Sequence, residues 1–568
     1  MQFKERLLIT AALCLPAALF SQSTYFSPAS KHSHFIDRME ILQGKVVDQN
    51  FSTNKPYNRK FAGDLALVFD SLTKAGTIKL SKQDAYNLNS FYANNSEWYN
   101  GDESAFQSKK PFLKSLYTNK ANFFEHKDKD FFIAINPVLN FQLMAANNDI
   151  KNLFINSRGV TIRARIANKI GAYFNLWDNQ ERGPAFVRNW VSTYNAVPGA
   201  NFYKSFKTTG VDYFQGSGGI TFPVTKFIDV QLAYDKNFIG NGYRSLFLSD
   251  FGGNYYFLKL NTKIWKFNYQ NIFAELNPKF TKTGDYLLPK KYAAFHHLSI
   301  NINKWLNIGV FESVVFGRKD YIELSYLNPL IFYRLIEGNI GSPDKIHEGL
   351  DFKANVAKKL QFYGQLLIDE FNFQKIRKDW TWWGNKFGYQ LGAKYINAFN
   401  VPNLDLQAEV NVVRPFTYSH YSDSAQYNFP IANNTHYNQP LAHPLGANFR
   451  EFIGIATWQP ITRLLLTGKI IFAQQGLDSS ATSRNFGSNI FRPYDDRIGD
   501  YGYKIGSGLK ANLLNASFAA SYEVKENVFF DFSVLIRNFD APKPLISKNT
   551  TVVSAGVRVN LVRRDYDF

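Results

Sequence analysis

Residues 159–177 read GVTIRARIANKIGAYFNLW. Val160, Ile162, Ala164 and Ile166 fall on one side of a two-residue period, and Thr161, Arg163 and Arg165 on the other. After Ala167, Asn168 and Lys169 the apolar side resumes with Ile170, Ala172, Phe174 and Leu176. Successive side chains of an extended chain point to opposite faces, so this stretch predicts two antiparallel strands around a tight turn, one face oily and the other wet. The pattern returns in Ile228, Val230, Leu232 and Tyr234, in Leu298, Ile300 and Ile302, and in Leu350, Phe352, Ala354 and Val356. It continues through Leu404 to Val412, Val528 to Ile536 and Val553 to Leu561.

A two-layer sandwich also alternates, and the connections separate the two cases. Very short ones lie near Asn168, Lys226, Lys263, Lys304, Lys358, Asn400, Pro460 and Glu526, with long polar segments such as 178–211, 318–348, 414–449 and 475–503 between them. Eight hairpins give sixteen strands, and a first strand near 131–143 with a last at 552–561 makes about eighteen. Short turns on one side and long loops on the other predict an all-β, transmembrane antiparallel β-barrel with both chain ends on the periplasmic side. Lipid offers no hydrogen-bond partner to a free strand edge, so such a sheet has to close. The terminal Phe568 fits the aromatic end common among these proteins.

The bulk properties agree. A chain of 568 residues with 45% hydrophobic content and 17% aromatic residues is not a mostly disordered one. A mean hydropathy of −0.27 without an apolar run of about 18 residues excludes a helical membrane protein. Lys4 and Arg6, the apolar residues 7–20 and then Ser21 read as a secretory signal peptide. Cys14, the only cysteine, follows Leu13 where a lipobox wants a small residue, and so leaves with the discarded peptide. Thiol catalysis, cysteine-bound zinc and disulfides are thereby excluded. The division expected is residues 1–21 signal peptide, 22–130 a small, mostly helical periplasmic region and 131–568 the barrel. Within the helical part, residues 58–76 place Phe61, Leu65, Val68 and Phe69 along one side, and Ser81 is an N-cap with Asp84 three residues on.

On the barrel reading the polar faces line the lumen, Arg163, Arg165, Asp229, Asp235, Lys353, Glu409 and Arg537 among them. Both signs occur, which predicts a lumen crosslinked by ion pairs. Trp177, Trp265, Trp305 and Trp458, near strand ends, are expected at the bilayer interfaces.

Several stretches then resemble a known family. They are FIDVQLAYDKNFIGNGYRSLFLSDFGGNYYFLKLNTKIWKFNYQ (residues 227–270), with Gly240 and Gly242 at a corner, LSYLNPLIFYRLIEGNIGSPDK (324–345), HYNQPLAHPLGANFREF (436–452) and HFIDRMEILQG (34–44). The chain resembles the Wzi-like capsule-assembly outer-membrane barrels, nearest to their Bacteroidetes branch that includes the gliding-motility protein RemB. The resemblance implies an eighteen-stranded barrel with a helical periplasmic part, and a role in attaching surface polysaccharide or in gliding. The family's capsule lectins carry a tryptophan-rich corner where this chain has Phe238, Ile239 and Tyr243, so those sugar-binding residues do not carry over.

Candidate chemistry is sparse. His436 and His443 are seven residues apart with Pro440 between them and Pro444 directly after, which fits a rigid loop better than a metal site. His436, Tyr437, Asn438, Gln439 and Arg450 are candidates for contact with polysaccharide, as are Tyr243 and the clustered Trp380, Trp382 and Trp383, whose faces suit the apolar side of a sugar ring. The competing reading of the tryptophans is a packed loop base. Asp369 and Glu370 are adjacent in a strand and point to opposite faces, so they form no acid–base dyad. No nucleophile elbow, phosphate-binding loop or HExxH run is present. No cofactor is called for. The charge of +19 suits acidic partners, and export leaves outer-membrane lipid, lipopolysaccharide and surface polysaccharide rather than nucleic acid. A non-enzymatic surface-assembly barrel, with gliding or secretion machinery as further partners, is the leading expectation. A transport channel is the alternative, and an enzymatic barrel comes third.

Overall fold

The computed structural model describes residues 24–46, 52–279, 287–318, 321–330, 332–341, 343–422 and 429–568. The signal peptide reading, Cys14 included, lies outside the described residues. No helix among them is long and apolar enough to cross a membrane.

Eighteen long strands make one closed antiparallel barrel. They are β1 (Phe131–Ala146), β2 (Leu153–Ile166), β3 (Ile170–Arg182), β4 (Gly210–Pro223), β5 (Ile228–Asp235), β6 (Tyr255–Ile264), β7 (Phe267–Leu276), β8 (Lys291–Asn301) and β9 (Leu306–Phe316). The second half comprises β10 (Lys345–Val356), β11 (Leu360–Glu370), β12 (Lys386–Tyr395), β13 (Leu404–Val413), β14 (Phe449–Ile461), β15 (Leu464–Leu477), β16 (Leu509–Lys525), β17 (Val528–Asp540) and β18 (Lys548–Val559). Each pairs with its neighbours, and β18 closes on β1 with Val552 opposite Ala146 and Val559 opposite Leu139. Every strand therefore has two partners, as hydrocarbon demands.

The turns fall where alternation places them, within a few residues. Ala167 and Asn168 take φ of 49° and 52° between β2 and β3, the left-handed pair that a right-twisted hairpin needs. Outward parity is confirmed by exposure: Phe174, Leu232, Leu298, Leu350, Phe530 and Val553 all stand on the outer face. Trp265 (73% exposed), Trp305 and Trp458 stand out near the short turns. Trp177 corrects the expectation for its group. It shares parity with Tyr173 and Asn179, faces the lumen and donates from Nε1 to Gln215 at 2.9 Å.

The helical region folds first in the chain, as α1 (Ser33–Gln43), α2 (Arg59–Lys74) and α3 (Lys82–Asn94). Asn58 caps α2 by accepting from the Lys60 and Phe61 N–H groups, and Ser81 caps α3 by accepting from Asp84 N. Leu65 and Phe69 of α2 join Phe35, Met39, Leu88 and Phe91 in a separate small core. Val68 turns outward instead, because Ala62, Ala66 and Phe69 define the buried stripe.

Candidate functional site

The lumen is entered from both ends, and the filling docks on charged and amide side chains of the inner wall and, under the inward-folded loops, on an apolar cluster that includes Phe257, Phe295 and Phe311. From the short-turn side the helical region enters. Arg38 of α1 splits its guanidinium between Asp84 of α3 (Nε to Oδ1, 3.0 Å) and Asp405 of β13 (Nη1 to Oδ1, 2.5 Å). Lys353 of β10 reaches Glu40 at 2.9 Å, Lys394 of β12 reaches Asp37 at 2.7 Å, and Lys31 reaches Glu523 and Glu526 near the β16–β17 turn. Arg163 pairs with Glu97 at 3.1 Å, and Arg165 donates to the Glu97 carbonyl over the Trp98 ring. Asp229, near the turn end of β5, has the inward parity of buried Gln231, opposite to exposed Leu232.

From the long-loop side, residues 236–254, 414–422 and 429–448 fold inward. Phe238–Ile239 forms a short antiparallel ladder with Asn54–Lys55 of the helical N-terminal region, and Gly240 N–H donates to the Thr53 carbonyl at 2.9 Å. The two caps thus meet inside the barrel. Glu409 of β13, fully buried, accepts from the backbone N–H groups of Tyr243 and Arg244 at 2.6 and 3.1 Å and from the Tyr363 hydroxyl. Gly242 makes this approach feasible, since a Cβ there would stand 2.5 Å from Glu409 Oε2. Asp235 accepts from the Tyr173 hydroxyl at 2.7 Å, and Arg537 lies over the Phe186 ring.

The third element was not anticipated. After β18 the chain reverses, and residues 560–568 run back through the lumen. Asn560 is held at the turn end by Asn527 and Pro137, while Phe568 packs on Phe186, Trp190 and Phe251. Phe186 and Trp190 belong to α4 (Ala185–Tyr194), in the loop on the opposite side. Nine extended residues span roughly 30 Å, enough for the crossing. Asp567 is gripped by Lys469 at 3.0 Å and by Arg244, and Tyr566 donates to Glu181. The terminal aromatic is therefore a lumen residue, not the end of a membrane strand. The four charged side chains Arg563, Arg564, Asp565 and Asp567 within five residues are the sequence signal that this tail stays wet.

The HYNQPLAHPLGANFRE stretch, expected as an external loop, is buried in the inner cap. Tyr437 and Asn438 form the two-residue turn of a short ladder between Thr435–His436 and Gln439–Pro440, both with positive φ. His436 accepts from Asn277 N at Nδ1 and donates from Nε2 to the Asn254 carbonyl, and Gln439 donates to the Ala200 carbonyl. His443 instead faces Glu451 at 2.8 Å, so the two histidines serve separate partners. Among the described residues no group of three or more His, Cys, Asp or Glu side chains is arranged to hold a metal. Arg450 faces outward beside Phe452 on the outer wall.

Arg414 organises the tryptophan cluster. Buried, it donates to the carbonyls of Asn385, Trp380, Trp382 and Tyr503, and lies over the Trp380 ring at 4.5 Å. Trp382 is buried, and Trp383 lies between Arg497 and Lys386. Trp380 remains 48% exposed. What the caps and tail leave open is a cavity of about 960 Å³ lined by β1–β5, by β12–β18 and by the tail, with Asn140, Trp177, Gln215, Gln407, Thr467 and Asp567 among its lining residues.

A closed barrel with an oily outside and an ion-paired, filled inside is an integral outer-membrane β-barrel. Among solved structures the chain is similar to the one described as Wzi, an outer membrane protein involved in group 1 capsule assembly in Escherichia coli and a carbohydrate-binding β-barrel. That likeness has a TM-score of 0.56 at 12% identity, covering 96% of this chain and 100% of Wzi. OprD of Pseudomonas aeruginosa matches at a TM-score of 0.40 and 10% identity over 75% of this chain and 94% of OprD. No family model and no curated protein sequence matches the chain.

Proposed function

We propose that this barrel is a closed, non-enzymatic surface-assembly protein that attaches exopolysaccharide or capsule at the cell surface, or serves gliding motility as in the branch that its sequence resembles. The observation that carries this reading is the backbone ladder between Asn54–Lys55 of the helical N-terminal region and Phe238–Ile239 of the inward-folded loops, which ties the two fillings of the lumen together beside a cavity of about 960 Å³. A transport channel has no need of such a crosslink, whereas a docking platform gains rigidity from it. Wzi, a carbohydrate-binding barrel of capsule assembly, has the same overall fold. The polysaccharide contact proposed here is Trp380, with its ring backed by Arg414 and its face open. Tyr243, inside the lumen, and Arg450, on the outer wall, are secondary candidates, the latter also for lipopolysaccharide phosphate. Gliding or secretion machinery would engage the external loops or the periplasmic helices.

A deletion strain tests the reading. It is expected to shed polysaccharide into the medium or to lose colony spreading, with rescue by the native chain and weaker rescue by Trp380→Ala. Normal retention and normal spreading in the deletion strain, together with stable conductance steps of the purified protein in planar bilayers, would favour the transport alternative.

A further inference from the structure

Residues 317–344 connect β9 to β10, and their length places them among the external loops. In the structure residues 321–330 and 332–341 lie back along the outside of the wall. Parity identifies the side. On β9, Phe311 stacks on Phe247 of the inner cap and Val315 joins the same core, while Ile308 and Val310 are exposed on the outer face. Glu312, Val314 and Phe316 share the outward parity and are nevertheless buried. Tyr326, Tyr333 and Ile336 cover them, packed with Ala294, Val314, Phe316 and Ile346 in one apolar cluster. Tyr333 and Ile336 lie on α5 (Tyr333–Ile340).

Beneath this cover lies a polar row. The register sets Asn271, His296, Glu312 and Glu348 side by side on β7, β8, β9 and β10, all with outward parity. The first three are buried, and Glu348 stands exposed at the margin. The cover supplies partners: the Tyr333 hydroxyl meets His296 Nε2, and Arg334 N–H donates to Glu312 at 3.2 Å. The wall reciprocates, with the Tyr269 hydroxyl donating to the Pro329 carbonyl. Facing hydrocarbon, these groups would have none.

The apolar belt shows the same gap. On β17 the outward apolar side chains run from Val528 to Ile536, about 27 Å at ~3.4 Å per residue. On β8 they run only from Leu298 to Ile302 before His296 interrupts them, about 14 Å by the same rise, against a band of about 25 Å in barrels of this kind. The missing upper part is present on the cover, whose outer face exposes Leu324, Leu330 (81%), Phe332 (67%) and Leu335 (63%).

We infer that residues 321–330 and 332–341 form a strap lying in the outer leaflet against β7–β10, with membrane acyl chains as the partner of its exposed side. The strap masks the polar row and completes the apolar belt with its own leucines and phenylalanine. Arg334, beside Glu337 at 3.1 Å, has a stem long enough to carry its charge toward the interface. The inference is independent of the surface-assembly reading, because it concerns how the wall meets lipid.

The test places single cysteines in a full-length Cys14→Ala background at Leu330, Leu335, Val310 (open outer wall) and Lys504 (exposed in a long loop). Each is labelled with an environment-sensitive fluorophore after reconstitution into phosphatidylcholine vesicles, half of them with acyl-chain-brominated lipid. Quenching by brominated lipid at Leu330→Cys and Leu335→Cys is expected within twofold of Val310→Cys and at least threefold above Lys504→Cys, with little quenching by aqueous iodide. Iodide quenching at the level of Lys504→Cys, without a brominated-lipid effect, would overturn the strap. Protection from both quenchers with crosslinking between copies at Leu335→Cys would also overturn it, by placing a second chain where lipid is claimed. Heat-modifiable gel migration identifies folded variants. Leu330→Cys, at the more exposed position, decides the matter if Leu335→Cys does not fold.

Discussion

Lys469 of β15 and Asp567, the penultimate residue of the chain, stand 3.0 Å apart inside the barrel, 98 residues apart in sequence. This contact, with Arg244 on the same carboxylate, ties the end of the polypeptide to the wall that it would otherwise leave.

Lys469→Met is expected to loosen the tail, at a cost of roughly 1.5–3 kcal/mol for a charged hydrogen bond. A lower melting temperature and faster protease cleavage within residues 560–568 would report it. Unchanged cleavage would mean that the packing of Phe568 alone anchors this segment.

The same cluster predicts a pH dependence. Burial by itself raises the carboxyls of Asp565 and Asp567, but Lys469 with Arg563 or Arg244 reverses this, bringing Asp565 down to about 2 and Asp567 well below the ordinary range. A folded pKa depressed below an unfolded value of about 3.9 gives stability that is complete above that value and lost as pH falls through the folded one. Thermal stability should thus be insensitive to these groups at neutral pH and decline below about pH 4, less steeply in an Asp565→Asn, Asp567→Asn double variant. Parallel acid profiles for the two proteins would contradict the assignment.

Arg38→Met should unlock the helical N-terminal region from the wall. It leaves Asp84 and Asp405 buried without their cation, and removing one partner of a buried pair costs about 3–5 kcal/mol. Planar bilayers should then show bursts of conductance where the native protein is silent. A silent Arg38→Met barrel would place the seal in the inward-folded loops alone.

Arg414→Lys should be nearly as damaging as Arg414→Ala, because a guanidinium fork spreads over four carbonyls and an ammonium does not. Red-shifted tryptophan emission and new protease cleavage at 379–385 are the expected readouts. Full retention of the native spectrum by the lysine variant would show that the tryptophans pack without it.

The barrel wall was legible because alternation is local. Residues 159–177 contain both faces of two strands and the turn between them, and the eight short turns set eighteen strands without knowledge of any distant contact. Trp177 shows the limit: its type suggests the bilayer interface, while its parity with Tyr173 and Asn179 places it in the lumen. The capping of α3 by Ser81 was equally local, whereas Val68 was misplaced because a single helix face can be drawn a little to either side of the true stripe.

By itself, then, the sequence determined a closed sheet, its strand number and which residues meet lipid or water, since these follow from a period of two and from turn chemistry. Only the tertiary structure decided what fills the cylinder and which way each long segment folds. Arg38 and Asp405 are 367 residues apart, and neither charge announces the other. The segment 436–448 goes inward, the tail runs back through the lumen and residues 321–330 and 332–341 lie against the outer wall because each finds its hydrogen bonds and apolar contacts there, and such matches between distant surfaces leave no periodic trace in the chain.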